Sequence, residues 1–183
     1  MNKRRAAAGF VAVGIAAGAA GYGLHLALRD SGNPAAADAA DPRRVAEAIF
    51  AARLADPQGA PRTVGEWRGR VLVVNFWATW CAPCREEIPV FVRLQERHGP
   101  RGLQFVGIAI DQPDKVADFA REFGINYPLL LGGPETLDLV RMAGNRPGVL
   151  PYTLVLDRAG NLVSRELGGL KETRLEALIQ PLF

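Results

Sequence analysis

The chain holds two cysteines, Cys81 and Cys84, inside the stretch FWATWCAPCREEIP at residues 76–89. Cysteines at i and i+3 can close a small disulfide and open it again. Directly after a strand and at the start of a helix, the first sulfur gains acidity, because unpaired N–H groups and the helix dipole stabilise a thiolate. Cys81 occupies that place and is the expected attacking sulfur. Cys84 lies one turn further in and is the expected buried thiol that resolves a mixed disulfide. Pro83 suits the first helical turn, where a missing N–H costs little, and it stiffens the ring a disulfide would close.

Three plainer readings compete. A structural bridge is common in exported proteins, but one spanning two intervening residues constrains the unfolded chain little. A metal site needs more ligands than two cysteines. The histidines are His25, in an apolar run, and His98, about four turns down the following helix. The third reading is a pair of unrelated buried cysteines. Reversible redox chemistry is the reading that uses both sulfurs and their spacing.

The elements that must position this pair can be read from the flanking pattern. Residues 71–76 (VLVVNF) form a β-branched run, the mark of a strand buried on both faces. The helix after the cysteines runs to His98 and is stopped by Gly99-Pro100. A second buried strand covers 103–110 (LQFVGIAI), followed by a helix over 113–123 with Val116, Phe119, Ala120 and Phe123 on one side. A short strand at 127–131 and a short helix at 134–142 come next. Residues 153–157 and 162–166 flank the turn Arg158-Ala159-Gly160-Asn161 as a hairpin, and 171–179 is a closing helix with Leu175, Leu178 and Ile179 inward. Ahead of the motif, a helix over 42–48 is expected to lead into a hairpin of strands 49–55 and 61–64 around Asp56-Pro57-Gln58-Gly59; one helix over 45–54 is the alternative. This order predicts an α/β sandwich around a central mixed sheet, with no internal repeats.

The first residues carry an address. Residues 1–5 are basic through Lys3, Arg4 and Arg5, and 6–28 contain no charged side chain. That run matches the roughly 20 residues needed to cross a bilayer core and exceeds the usual apolar core of a signal peptide. An uncleaved anchor with its basic end inside is therefore favoured. The alternative is a cleaved signal, with small residues at Ala35-Ala36-Ala37 and Asp38-Ala39-Ala40. Arg4-Arg5 also raises a twin-arginine address, against the plainer reading of ordinary positive-inside charges. Residues 29–44, small and polar with a proline, read as a flexible linker, and 45–183 as the folded domain outside the cytoplasm, in the periplasm or beyond. The net charge of +3 comes from the tail: without Lys3, Arg4 and Arg5, 19 basic residues face 19 acidic ones. Nothing in that balance calls for nucleic acid.

The stretch NFWATWCAPCREEIP resembles the active-site segment of the thioredoxin superfamily, most closely its membrane-anchored TlpA/ResA/DsbE-like branch. Further markers are Trp67-Arg68-Gly69, the strand ending in Asp111, and Gly148-Val149-Leu150-Pro151-Tyr152-Thr153. The resemblance covers roughly 50–183 and implies a thioredoxin-like fold. It implies that Cys81 is the nucleophile and Cys84 the resolving thiol. Pro151, after Leu150, matches the family's cis-proline, which presents the preceding backbone as a strand edge for a partner polypeptide. Trp80, Ala82, Pro83 and Leu150 then face the substrate. Trp77 matches an aromatic position and reads equally well as core packing. Pro89 matches a helix-kinking proline and is read as structural.

Asn75 departs from general thioredoxins, which place a buried acid there. The resembled branch commonly has Asn and sets a glutamate three residues beyond the second cysteine, here Glu87. Glu87 and Cys84 share one helix face, and a carboxyl partly buried beside the disulfide can relay a proton. The plainer reading is that Glu86 and Glu87 decorate the first turn of a helix, where acids are favourable.

Ala82-Pro83 offers no side-chain donor to a thiolate, whereas strong oxidants gain power by stabilising the reduced form. A protein-disulfide reductase, needing no cofactor and no metal, is therefore expected. The resemblance implies a membrane electron donor of DsbD/CcdA type and substrates such as apocytochrome c or other metalloprotein thiols. An oxidising thiol oxidase is the opposite direction of the same chemistry. A thiol peroxidase would need a peroxide-activating Thr or Arg arrangement, which the chain does not show. A copper metallochaperone on this fold would favour wider cysteine spacing and a nearby histidine. A docking protein that only binds cysteine-bearing partners would not need Cys81 for its activity.

Overall fold

Short apolar runs bounded by glycine and proline become strands in the computed structural model, which describes residues 41–183. In chain order the elements are α1 (Pro42–Ala51), β1 (Arg53–Ala55), β2 (Pro61–Thr63), β3 (Val71–Trp77), α2 (Ala82–His98), β4 (Leu103–Ala109), α3 (Pro113–Glu122), β5 (Leu129–Leu131), α4 (Pro134–Met142), β6 (Tyr152–Leu156), β7 (Leu162–Leu167) and α5 (Glu172–Ile179). The strands form one mixed sheet in the order β2-β1-β5-β4-β3-β6-β7. β3, β4 and β5 run parallel; on one side β6 pairs antiparallel with β3, and β7 pairs antiparallel with β6.

The central strand is buried on both faces, as a continuous β-branched run requires. Its alternate residues feed two cores. Val71, Val73 and Trp77 pack with Cys84, Ile88, Phe91 and Leu94 of α2, Val116 and Phe119 of α3, and Leu175 and Ile179 of α5. Leu72, Val74 and Phe76 pack on the opposite face with Val45, Ile49 and Phe50 of α1 and Val140 of α4. Asn75 keeps this alternation, so its amide lies on the α2 face. Register sets Asn75 opposite Thr153 of β6. The site is therefore assembled at the carboxyl end of β3, where α2 begins.

Several boundaries differ from the sequence expectation. Helix α1 continues to Ala51 instead of ending at 48, because Val45, Ala46, Ile49 and Phe50 make one buried helical stripe. The hairpin that follows is correspondingly short, and Val64 leaves β2 for a tight turn of 3-10 helix. The Asp56 carboxylate accepts from the N–H groups of Gln58 and Ala60, fixing that hairpin's turn. β5 starts at Leu129 rather than 127, after Pro128, which has no N–H to give the sheet. Among the described residues no helix is long and apolar enough to cross a membrane. The tail at 1–5, the anchor at 6–28 and the linker up to residue 40 lie outside the described residues.

Candidate active site

β3 ends at Trp77 and the chain turns through Ala78, Thr79 and Trp80 to Cys81. The Cys81 N–H donates to the Ala78 carbonyl at 3.2 Å, and the Cys81 carbonyl accepts the first helical bond from the Arg85 N–H at 3.2 Å. Cys81 is thus the cap of α2, with Pro83 in the first turn. Asp111, at the end of β4, accepts from both the Thr79 N–H and the Thr79 hydroxyl and so braces the turn from the neighbouring strand. Partial burial pushes the Asp111 carboxyl up, but bonds from Thr79 and the Gln112 N–H outweigh it and hold the group below its ordinary value.

Cys81 and Cys84 form a disulfide with their Cα atoms 5.3 Å apart. Cys81 is 6% exposed and Cys84 fully buried. The pair is therefore asymmetric: a partner can approach the first sulfur, while the second is reachable only from inside. Trp80, at 69% exposure, directly precedes Cys81 in the chain, and Ala82 and Pro83 are also exposed. Leu150–Pro151 is a cis peptide bond, Pro151 is buried and Leu150 half-buried. The Pro151 carbonyl accepts from the Gly168 N–H at 2.9 Å. Gly169, next in the chain, lies against Pro83: a Cβ there would sit 3.5 Å from the proline's own Cβ. The strand-end segment after β7 thus ties the proline loop to the cysteine ring.

Glu87 is 2% exposed, and decorating a solvated helix turn does not describe it. Its Oε1 accepts from the Asn75 amide at 2.8 Å, and its Oε2 accepts from the Leu170 N–H at 2.9 Å. The same Asn75 amide also donates to the Thr153 hydroxyl at 3.0 Å. Burial pushes the Glu87 carboxyl up to about 7, against the lowering effect of the Leu170 N–H and the Asn75 amide. Tyr127, buried near this charge, is pushed above its ordinary value first by burial and then by Glu87. Glu86 is exposed. Trp77, which the sequence left between two roles, is 1% exposed and packs on Phe119 with ring centroids 5.1 Å apart. Pro89 lies inside α2, which continues through it. Among the described residues no three His, Cys, Asp or Glu side chains cluster closely enough to hold a metal ion.

Sequence reasoning singled out Glu87 and Asn75 but not the bonds between them and their other partners. Thr153, which accepts from Asn75, stood out only as the end of a family marker, and the Leu170 N–H comes from a segment that no local pattern marks. Asp111 stood out as a family marker only; its bond to Thr79 is a contact between strand ends.

A parallel-centred sheet with an asymmetric CxxC disulfide at a helix start defines a thioredoxin-like thiol–disulfide oxidoreductase. The Redoxin family profile matches residues 34–179, and the chain belongs to that family. It is similar to the thiol:disulfide interchange protein HelX of Rhodobacter capsulatus, with 35% identity over 138 residues, 70% of this chain and 71% of that protein. It is also similar to the thiol-disulfide oxidoreductase ResA of Halalkalibacterium halodurans, with 27% identity over 128 residues, 69% of this chain and 70% of that one. A thioredoxin-family thiol:disulfide interchange protein from Chlorobium tepidum superimposes with a TM-score of 0.62 at 31% identity, covering 72% of this chain and 92% of the other.

Proposed function

We propose that this oxidoreductase works mainly as a reductase of protein disulfides, with Cys81 as nucleophile, Cys84 as resolving thiol and Glu87 as proton relay. The observation that carries this is the buried Glu87, titrating near neutrality three residues beyond the buried sulfur. The Cys81 thiolate attacks a partner disulfide. One partner sulfur leaves as a thiolate, and the other is held in a mixed disulfide with Cys81. Cys84 must then lose its proton to attack the Cys81 sulfur, which closes the Cys81–Cys84 disulfide and expels the second partner sulfur as a thiolate, and that proton needs an acceptor inside the protein. A carboxylate poised near pH 7 can take it and return it in the reverse direction. Asn75 cannot exchange protons; it orients the group that can.

Ala82 and Pro83 supply no side-chain donor to the Cys81 thiolate, which favours the reducing direction. A reductase outside the cytoplasm needs electrons delivered across the membrane. The uncharged run at 6–28 suits an anchor that keeps the domain near a donor of DsbD/CcdA type, with the domain in the periplasm or its equivalent. Apocytochrome c, or another metalloprotein with a cysteine pair, is the substrate that the family resemblance implies.

The test is the reduction potential of the Cys81/Cys84 couple against a dithiothreitol or glutathione buffer. A value at or below about −220 mV supports the reductase, a value near about −120 mV makes the protein an oxidant, and no reversible couple removes the enzymatic cycle.

A further inference from the structure

The loop from Ala143 to Leu150, between α4 and β6, leads into the cis Leu150–Pro151 bond, and Leu150 packs against the core that contains both cysteines. Both its ends are fixed by hydrogen bonds. At the start, the Ala143 carbonyl, left open at the end of α4, accepts from the Tyr152 hydroxyl at 2.8 Å and from Arg165 Nε at 3.0 Å. The far end is held by Asn145, a polar side chain only 2% exposed that reaches across to Val149. Its amide Nδ2 donates to the Val149 carbonyl at 2.7 Å, and its Oδ1 accepts from the Val149 N–H at 3.3 Å. The Asn145 carbonyl also accepts from the Gly148 N–H at 2.9 Å, closing a turn in which Gly148 takes φ +67°.

The amide group therefore does for Val149 what a neighbouring strand would do: it takes both backbone groups of one residue. No backbone–backbone hydrogen bond among the described residues takes up the N–H or C=O of the next residue, Leu150. Pro151 follows and has no N–H. Successive side chains of an extended segment point to opposite sides. Val149 is 51% exposed, whereas Leu150 packs against the cores. A partner strand slipped by one residue would seek Val149 and present its opposite side chains.

We propose that Asn145 is a positioning residue that sets the register of the polypeptide substrate beside Cys81. By occupying Val149 from within, it leaves Leu150 as the pairing residue. The substrate class is an extended cysteine-bearing segment that pairs through its own N–H and C=O at the position facing Leu150. This rests on the reading of the protein as a protein-disulfide reductase.

The test compares insulin, a polypeptide disulfide, with glutathione disulfide, a small one, in the full chain carrying Asn145→Asp or Asn145→Ala. Asp keeps the acceptor for the Val149 N–H and loses the donor to its carbonyl. The expected result is a KM for insulin raised about tenfold, equivalent to ~1.4 kcal/mol, with kcat unchanged. The KM for glutathione disulfide and the Cys81/Cys84 reduction potential stay at the wild-type values. An unchanged insulin KM overturns the proposal, and so does a parallel loss with both substrates, which marks general damage. Should the variants fail to fold, amide exchange in the wild-type protein decides instead. The Val149 N–H must be protected, and the Leu150 N–H must gain protection only when a Cys84→Ser variant holds an insulin-derived peptide as a mixed disulfide. Free exchange at Val149 sinks the brace. A wild-type protein that reduces no insulin overturns the reductase reading, and the Val149 measurement then still tests the brace by itself.

Discussion

The Asn75 amide reaches up from the central strand and donates to the Glu87 carboxylate at 2.8 Å, one turn along α2 from the buried Cys84 sulfur. A neutral donor holds the acid in place without supplying the positive charge that would keep it ionised. Burial then decides its titration, which lies near 7 instead of 4.5.

That shift has a stability consequence with a definite sign. Between about 4.5 and about 7 the folded protein holds a proton that the unfolded chain has released. Stability from this group is therefore full at low pH within the window and declines as pH rises through it. At about 1.36 kcal/mol per unit, the loss is of the order of 3 kcal/mol. Denaturant midpoints of the oxidised protein at about pH 5 and about pH 8 should show it. Glu87→Gln removes the titrating group and should flatten that part of the curve; an equally steep curve in the variant would assign the slope elsewhere.

Placing a second acid under Glu87 tests the same relationship from the other side. Asn75→Asp replaces the donor to Glu87 by a carboxyl and sets two acids against one another. Like charges this close do not both ionise easily, so the pair should titrate in two separated steps, one above 7. The pH profile of protein-disulfide reduction should move to higher pH. Glu87→Gln should instead lose the inflection near neutrality.

Much of this arrangement was readable from sequence because it is local. The strand, the cysteine cap and the helix follow one another within residues 71–98, and their periodicities are strong. Glu87 was found through its spacing from Cys84, which is again local. What could not be read is what arrives from elsewhere. Thr153 meets Asn75 only through the pairing of β3 with β6, and the Leu170 N–H only through the segment after β7. The Asn145 brace was equally hidden, since a buried amide and a loop asparagine look identical in sequence. The misplaced end of α1 had a simpler cause: Ile49 and Phe50 suit a strand by propensity, but their burial beside Val45 and Ala46 continues a helical stripe.

The two tryptophans that bracket the turn should separate stability from recognition. Trp77 is buried against Phe119, and Trp77→Ala should cost about 3–5 kcal/mol, read in the denaturant midpoint. Trp80 is 69% exposed, and Trp80→Ala should change stability by no more than about 0.5 kcal/mol. Its loss should appear as a raised KM for protein substrates, because an exposed aromatic beside the attacking sulfur contributes contact area to a bound polypeptide. Equal destabilisation by the two changes would mean that Trp80 is a structural residue.

The unequal exposure of the two sulfurs predicts which variant traps a partner. With Cys84→Ser, Cys81 can still attack a disulfide, but nothing inside the protein releases the product. The variant should accumulate a covalent adduct with a protein disulfide, visible as a dithiothreitol-sensitive band on a non-reducing gel. With Cys81→Ser the remaining sulfur is fully buried, so no adduct should form and reduction should cease. The disulfide itself closes too small a loop to matter much for folding. Both variants should therefore keep most of the wild-type stability, and lost activity cannot be traced to lost structure. Adducts forming equally on both variants would mean that Cys84 is reachable from outside and that the direction of attack has been assigned to the wrong sulfur.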